Sequence, residues 1–320
     1  MTYSILLTGG MGYVGGRLAC ALIGEGYKVY CGTRRVGERS PSWLTGMQMV
    51  YVDWQSSDSL KNACTNIDCV IHLAGMNEID SVKDPIAALQ ANGVLTLGLL
   101  NAAIKMGVNR FIYFSTAHVY GAPLKGTINE ATITRPIHPY AITHKVAEDF
   151  VLSARDQGLI DGVVVRLSNS FGVPTTPKID RWTLLVNDLC KQAAISGELS
   201  LNSSGEQLRD FITLQDVCGA IIHMLKLKGE ELHDGLFNLG SGNSFSILEM
   251  AQRIAMRWYL ITGNKIQIKR PISTEVIKSE LNYSCTKLVG TGFRHQFQID
   301  DEIDKTLMLC IREFSRPDKI

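Results

Sequence analysis

Short apolar runs alternate with stretches of helical spacing through the first half of the chain. Residues 3–7 (Tyr3-Ser4-Ile5-Leu6-Leu7) read as a buried strand, and residues 17–23 as a helix with one apolar face. Residues 27–32 and 49–52 predict a second and third strand, and 60–64 a short helix. Residues 69–75 predict a fourth strand and its exit. Residues 84–106 predict one long helix, with Pro85 in its first turn and Ala87, Ala88, Ala91, Leu95, Leu99 and Ala102 at helical spacing. A fifth strand follows at 110–114, a helix begins at Tyr140, and a sixth strand lies at 161–165. Strands alternating with helices predict an α/β fold with a doubly wound parallel sheet. Pro174 and Pro177 mark a looser join to a smaller second lobe. There, helices are predicted over 182–194, from Asp216, and after a Ser246 cap. No repeat or low-complexity segment stands out, and the stretch beyond Tyr283 says little.

Composition narrows the class. The chain has 320 residues, 45% of them hydrophobic, and a formal net charge of +1. This suits one large α/β unit with a lobe and argues against a nucleic-acid or polybasic membrane partner. No apolar run is expected to reach the roughly 18 residues of a membrane span. The N-terminus runs straight into a strand, so no signal peptide is expected. The 8 cysteines contain no C-x-x-C pair, which suggests neither a zinc site nor a disulfide framework. A soluble, reduced, cytoplasmic protein without a structural metal is the expectation.

The first strand delivers Gly9-Gly10-Met11-Gly12-Tyr13-Val14-Gly15 into the first helix. In that context glycines serve a dinucleotide: Gly9 for a sharp turn, Gly12 for close approach of a pyrophosphate, Gly15 for close helix packing. The helix N-terminus offers free N–H groups and partial positive charge to the phosphates. The second strand ends in Thr33-Arg34-Arg35, where an acid would favour NAD. Arginines suit a 2′-phosphate, so NADP is expected, with NAD as the alternative and a solvated basic loop as the plainer account.

The spacing Gly9-x-x-Gly12-x-x-Gly15 resembles the short-chain dehydrogenase/reductase superfamily. Later motifs resemble its extended branch, the NAD-dependent epimerase/dehydratase family that modifies nucleotide-linked sugars. The resemblance covers nearly the whole chain. It implies a Rossmann-type domain over 1–171, with a return of 211–236, and a nucleotide-sugar-binding lobe over 172–320. It places Asp53 against the adenine amino group, although a turn or cap role fits Asp53 equally. His72-Leu73-Ala74-Gly75 is similar to a segment that lies against the cofactor, with His72 itself read as structural; Asn92 resembles an asparagine carried into the sheet.

Ser115-Thr116-Ala117-His118-Val119-Tyr120-Gly121 resembles S-[ST]-x-x-V-Y-G, so Thr116 takes the place of the catalytic hydroxyl and Ser115 lies by the cofactor. The Asp-Glu that 4,6-dehydratases carry after this threonine is Ala117-His118 here, which argues against dehydration. Pro139-Tyr140-Ala141-Ile142-Thr143-His144-Lys145 resembles the start of the catalytic helix, with Tyr140 as the acid/base tyrosine. His144 stands where the family has lysine. Four helical residues advance about 400° and return to the tyrosine's face, whereas five advance about 500°, so Lys145 is expected to point elsewhere. Residues 166–174 resemble a turn in which Asn169 reaches the sugar or its phosphates. Arg209, in a G-x-x-x-R-D-[FY]-[IV] match, would bind the substrate diphosphate. Arg270, in Lys269-Arg270-Pro271, would flank the nucleotide, although the usual following acid is missing.

The resemblance therefore implies redox chemistry at carbon 4 of a nucleoside-diphosphate sugar. A 4-ketosugar reductase is the expectation, because net reductions usually draw on NADPH. A 4-epimerase is the close alternative, and a non-catalytic NADP-sensing protein is a third. Relatives dimerise through the helices near 92–106 and from Tyr140, so a homodimer is expected.

Overall fold

The structure is a computed structural model that describes residues 3–271, 280–296 and 298–315. The strands are β1 (Ser4–Thr8), β2 (Lys28–Thr33), β3 (Gln48–Tyr51), β4 (Cys69–His72), β5 (Arg110–Thr116), β6 (Gly126–Ile128), β7 (Asp161–Leu167), β8 (Asn169–Phe171), β9 (Glu198–Ser200), β10 (Leu208–Thr213), β11 (Leu236–Leu239), β12 (Ser244–Ser246), β13 (Gln267–Lys269) and β14 (Leu281–Tyr283). The helices are α1 (Tyr13–Gly24), α2 (Ser57–Ala63), α3 (Glu78–Lys83), α4 (Pro85–Ala88), α5 (Leu95–Lys105), α6 (Pro139–Asp156), α7 (Leu185–Ser196), α8 (Leu214–Lys226), α9 (Ile247–Thr262), α10 (Thr286–Gly290) and α11 (Ile299–Phe314).

Seven parallel strands form the main sheet in the order β11-β7-β5-β4-β1-β2-β3. Alternate residues of each strand feed opposite faces, as a period of two requires. Ile5, Leu7, Ile71, Ile112 and Val163 meet Leu18 and Leu22 of α1 and Val217 and Ile221 of α8. Leu6, Val70, Phe111 and Val164 meet Leu60 of α2, Leu99 of α5 and Val151 of α6. Both faces are covered, which is why these strands read as unbroken apolar runs. The seventh strand, β11, extends the expected set of six: Phe237 and Leu239 pack with the α1 and α8 side. Strand order reverses between β1 and β4, and at such a switch point the loops at the carboxyl ends of the strands leave a crevice.

A second core gathers Phe171 and Phe211 with Val186 and Leu189 of α7, Met250 and Ile254 of α9, and Ile303 and Leu307 of α11. Small sheets β8-β10-β12, β9-β13 and β6-β14 complete the chain. Ser246 caps α9 reciprocally with Glu249: its Oγ accepts Glu249 N–H at 3.0 Å and its own N–H donates to Oε2 at 2.7 Å. Asp216 sits inside the first turn of α8, not at its start, because Thr213 is the cap and accepts Asp216 N–H at 3.0 Å. α7 starts at Leu185, later than expected, because Trp182 is turned back to donate to the Pro177 carbonyl at 3.2 Å.

The long helix predicted over 84–106 is interrupted. α4 runs into a π-helical turn, Leu89–Val94, before α5 continues. Contrary to the expectation that no run is long enough to span a membrane, the 21-residue helical stretch Pro85–Lys105 is long and apolar enough by length and composition, an 18-residue window of it having a mean hydropathy of 1.4. It packs against α2 and α6 in this fold.

Candidate active site

A cavity of about 1940 Å³ opens at the carboxyl ends of β1, β2, β4 and β5. It is lined by Gly9, Gly12 to Gly15, Thr33 to Arg35, Asp53, Leu73 to Gly75, Ser115, Thr116, Tyr140, His144, Asn169 and Arg209. Two candidate residues lie outside the lining. Asn92 is buried behind the wall at 1% exposure. Arg270 pairs instead with Glu206 Oε1 at 2.9 Å and the Ser204 carbonyl at 2.6 Å.

The glycine turn fits a dinucleotide. Gly9 has φ +76°, and a Cβ there would meet the backbone of Leu73 and Ala74 at 2.9 Å. A Cβ on Gly15 would lie 2.2 Å from the Gly9 carbonyl oxygen, so α1 can approach β1 this closely only with glycine. No side chain caps α1 at Gly12, and its first backbone bond is Gly16 N–H to the Gly12 carbonyl at 2.8 Å. The N–H groups of Tyr13, Val14 and Gly15 therefore have no partner within the helix, on residues that line the cavity, which is the cradle a pyrophosphate needs. Tyr13 contributes backbone only. Its hydroxyl donates to the Gly172 carbonyl at 2.7 Å and lies 3.2 Å from Asn187 Oδ1, tying the turn to the second lobe.

Just after β3 Asp53 behaves as a turn residue, its Oδ1 accepting Gln55 N–H at 3.0 Å, while still lining the cavity. Arg34 makes no ion pair among the described residues. Arg35 does, with Glu38 at 3.2 Å, an acid that lies outside the Thr33-Arg34-Arg35 segment.

Behind the cavity wall runs a chain of hydrogen bonds whose direction is determined. Thr96 Oγ1 donates to the Asn92 carbonyl at 2.7 Å, so it accepts from His72 Nε2 at 2.9 Å. His72 Nδ1 therefore accepts from Thr8 Oγ1 at 2.6 Å. His72 is neutral, its pKa pushed down to about 3 by burial and then by His144, and it is structural as expected. Asn92 Oδ1 accepts Met76 N–H at 2.7 Å and its Nδ2 donates to Thr143 Oγ1 at 2.9 Å. Thr143 in turn donates to the Tyr140 carbonyl at 3.0 Å. Asn92 thus locks α6 to the π turn and does not face the cavity.

His144 lies one turn after Tyr140, their ring centroids 4.2 Å apart. Its Nδ1 is 2.8 Å from the Tyr140 carbonyl oxygen. A carbonyl only accepts, so Nδ1 carries the hydrogen and Nε2 presents a lone pair. Burial, outweighing that bond and Glu78, pushes the His144 pKa down to about 4, so the ring is neutral near pH 7. Burial, and then Glu78, holds the Tyr140 hydroxyl well above the usual tyrosine range. Lys145 points elsewhere, to Asp149.

Thr116 Oγ1 accepts His118 N–H at 3.2 Å, leaving its own hydrogen for the cavity. The Ser115 hydroxyl is committed to Glu148, which pairs with Arg166 at 2.7 Å inside the fold. Asn169 Nδ2 donates to the Asp210 carbonyl at 2.9 Å, leaving Oδ1 for the cavity. Arg209 makes no ion pair among the described residues; burial lowers its pKa. Glu78 and Arg181, 3.6 Å apart, face each other from α3 and the segment after β8. Both line the cavity, and no motif pointed to them.

Comparison with known proteins places the chain in a family and a fold. The model described as NAD dependent epimerase/dehydratase family matches residues 5–240. A UDP-glucose 4-epimerase from Rhizobium meliloti (strain 1021) is 28% identical, over 78% of this chain and 80% of its own. The structure of RMD from Pseudomonas aeruginosa complexed with NADPH superposes with TM-score 0.78 at 24% identity, covering 98% of each chain. A mutant UDP-glucuronic acid 4-epimerase from Bacillus cereus, in complex with UDP-4-deoxy-4-fluoro-glucuronic acid and NAD, superposes with TM-score 0.78 at 22% identity, covering 97% of this chain and 99% of that one. At these identities the two structures show the shared fold alone.

Proposed function

The chain belongs to the NAD dependent epimerase/dehydratase family, and on that premise we propose that it reduces the ketone at carbon 4 of a nucleoside-diphosphate 4-ketosugar. The observation that carries this reading is the neutral imidazole of His144 beside Tyr140. A lysine there would lower the tyrosine pKa; a neutral ring beside a buried phenol does not, so Tyr140 keeps its proton. A protonated tyrosine is the form that ketone reduction uses. The residues of the Gly9–Gly15 turn would hold a nicotinamide dinucleotide, which when bound would supply a hydride for carbon 4. Tyr140 donates its proton to the ketone oxygen, and Thr116 donates a hydrogen bond to the same oxygen. Arg209, with no carboxylate to neutralise it among the described residues, suits the diphosphate. Arg34, likewise without an ion pair among the described residues, favours NADP over NAD.

The 4-epimerase reading is favoured by a different observation, the name of the Rhizobium relative. It requires Tyr140 to accept a proton in an oxidative half-reaction. The non-catalytic reading has no such support, since that relative is named as an enzyme. The purified protein should be given a panel of UDP-, dTDP-, GDP- and CDP-linked 4-ketosugars with NADPH, and separately the corresponding 4-hydroxy sugars. Consumption of NADPH equal to the alcohol formed is expected. Interconversion of 4-hydroxy sugars with no net change in cofactor would establish the epimerase instead, and turnover of neither set would sink both readings.

A further inference from the structure

Among the described residues, one ion pair crosses the cleft between side chains that line the cavity, and the chemistry above does not use it. Glu78 is the first residue of α3, and Arg181 lies in the segment between β8 and α7. The backbone is held on both sides. Just before α3, Met76 N–H donates to Asn92 Oδ1 at 2.7 Å, and Asn77 Oδ1 accepts Asp80 N–H at 2.9 Å as the helix cap. Across the cleft, the Arg181 carbonyl accepts Asn187 Nδ2 at 3.3 Å and Leu184 N–H at 3.4 Å. The side chains between them are held less firmly. Glu78 Oε2 and Arg181 Nη1 are 3.6 Å apart, beyond hydrogen-bond reach, and neither side chain makes a hydrogen bond among the described residues.

The Glu78 and Arg181 side chains are 44% and 35% exposed, whereas Thr116 and His144 of the same cavity are buried. Side chains that line a cavity and still meet solvent stand at its rim. They also stand near Tyr140: after burial, the charges that act on its hydroxyl are Glu78, which raises its pKa, and then Arg181, which lowers it. A half-exposed pair without hydrogen bonds adds little to stability and parts readily. It is not what joins the lobes, since the Tyr13 hydroxyl already ties α1 to the Gly172 carbonyl. We propose that Glu78 and Arg181 form a gate across the rim at the Tyr140 end of the cavity, which must part for the nicotinamide half of a dinucleotide to enter or leave and which closes again over it. This rests on the dinucleotide-binding reading above and adds a step of access to it.

A gate has a kinetic signature that a contact residue lacks. A pair that closes alike over an empty and a filled cavity slows entry and exit by the same factor and leaves Kd unchanged. A residue that touches the ligand changes mainly koff, and Kd with it. Stopped-flow binding of NADPH and of NADH, followed by intrinsic fluorescence, tests this on the unaltered protein, on Glu78→Gln, on Arg181→Gln and on the charge-exchanged double variant Glu78→Arg with Arg181→Glu. Urea midpoints check that each variant is folded, as half-exposed sites lead us to expect. Both kon and koff should rise about threefold to fivefold in each single variant, the range one such ion pair allows, with Kd constant within about twofold. Both rates should return toward those of the unaltered protein in the double variant. A rise in koff alone, rates that move by less than about twofold, or no recovery in the double variant overturns the gate while dinucleotide binding itself stands. Failure of the unaltered protein to bind either dinucleotide overturns both the gate and the reading beneath it.

Discussion

His144 separates two chemistries that differ by one charge. Its folded pKa, about 4, lies below the usual 6.5 of a histidine because the ring is buried. Substituting His144→Lys would install a charge that favours the tyrosinate. Single-turnover alcohol oxidation near neutral pH should therefore accelerate more than ketone reduction, both at saturating cofactor. Unchanged rates and pH profiles in both directions would show that His144 does not act in the lysine's place. The same burial affects stability. Between pH 6.5 and 4 the unfolded chain binds a proton at His144 that the folded chain refuses. Stability is therefore full above about 6.5 and falls as pH drops toward the folded value, by up to about 1.4 kcal/mol per unit. At this scale the sequence was informative where a motif carries the residue: Thr116, Tyr140, His144 and Arg209 all line one cavity. Glu38, Glu78 and Arg181 were not legible, because each reaches its partner through a turn or across the cleft and not through spacing.

The elements were legible where an apolar run stands alone, as in β1, β4, β5 and β7. The helix from Pro85 to Lys105 was legible in extent but not in form. Periodicity does not reveal a π turn, because the cause is lateral: Asn92 is held by Met76 and Thr143 on other segments. This helix and its neighbours also leave apolar side chains outside. Ile79 and Val82 on α3, Ile86 on α4, Leu89 and Val94 in the π turn, and Ile142 and Phe150 on α6 are all exposed. Contiguous apolar surface on touching helices calls for a cover, and a second copy of the chain, paired through α6 and the 85–105 helix, is the one we expect. Light scattering at micromolar concentration should give the mass of a homodimer, and Phe150→Glu should shift it toward the monomer; a monomer mass for the unaltered protein would refute the pairing.

Across the whole molecule, the glycine turn and the second lobe are held together by charges far apart in sequence. Arg17 on α1 bonds Glu302 on α11 at 2.7 Å and the Val173 carbonyl at 2.9 Å. The Glu302 side chain is fully buried. Glu302→Gln removes the counter-charge and should destabilise the fold by less than the ~3–5 kcal/mol that a fully buried pair loses with one partner, since the Arg17 side chain is 19% exposed and keeps its bond to the Val173 carbonyl. A urea midpoint that does not move would show the pair to be dispensable. This ion pair also orders events in time. Its two ends lie 285 residues apart, so during synthesis Arg17 emerges from the ribosome long before Glu302 exists. Until α11 is made, Arg17 lacks its carboxylate partner and the Val173 segment lacks this clasp. Closure of the clasp is thereby deferred until α11 has been translated, and a chain terminated before α11 would lack it altogether.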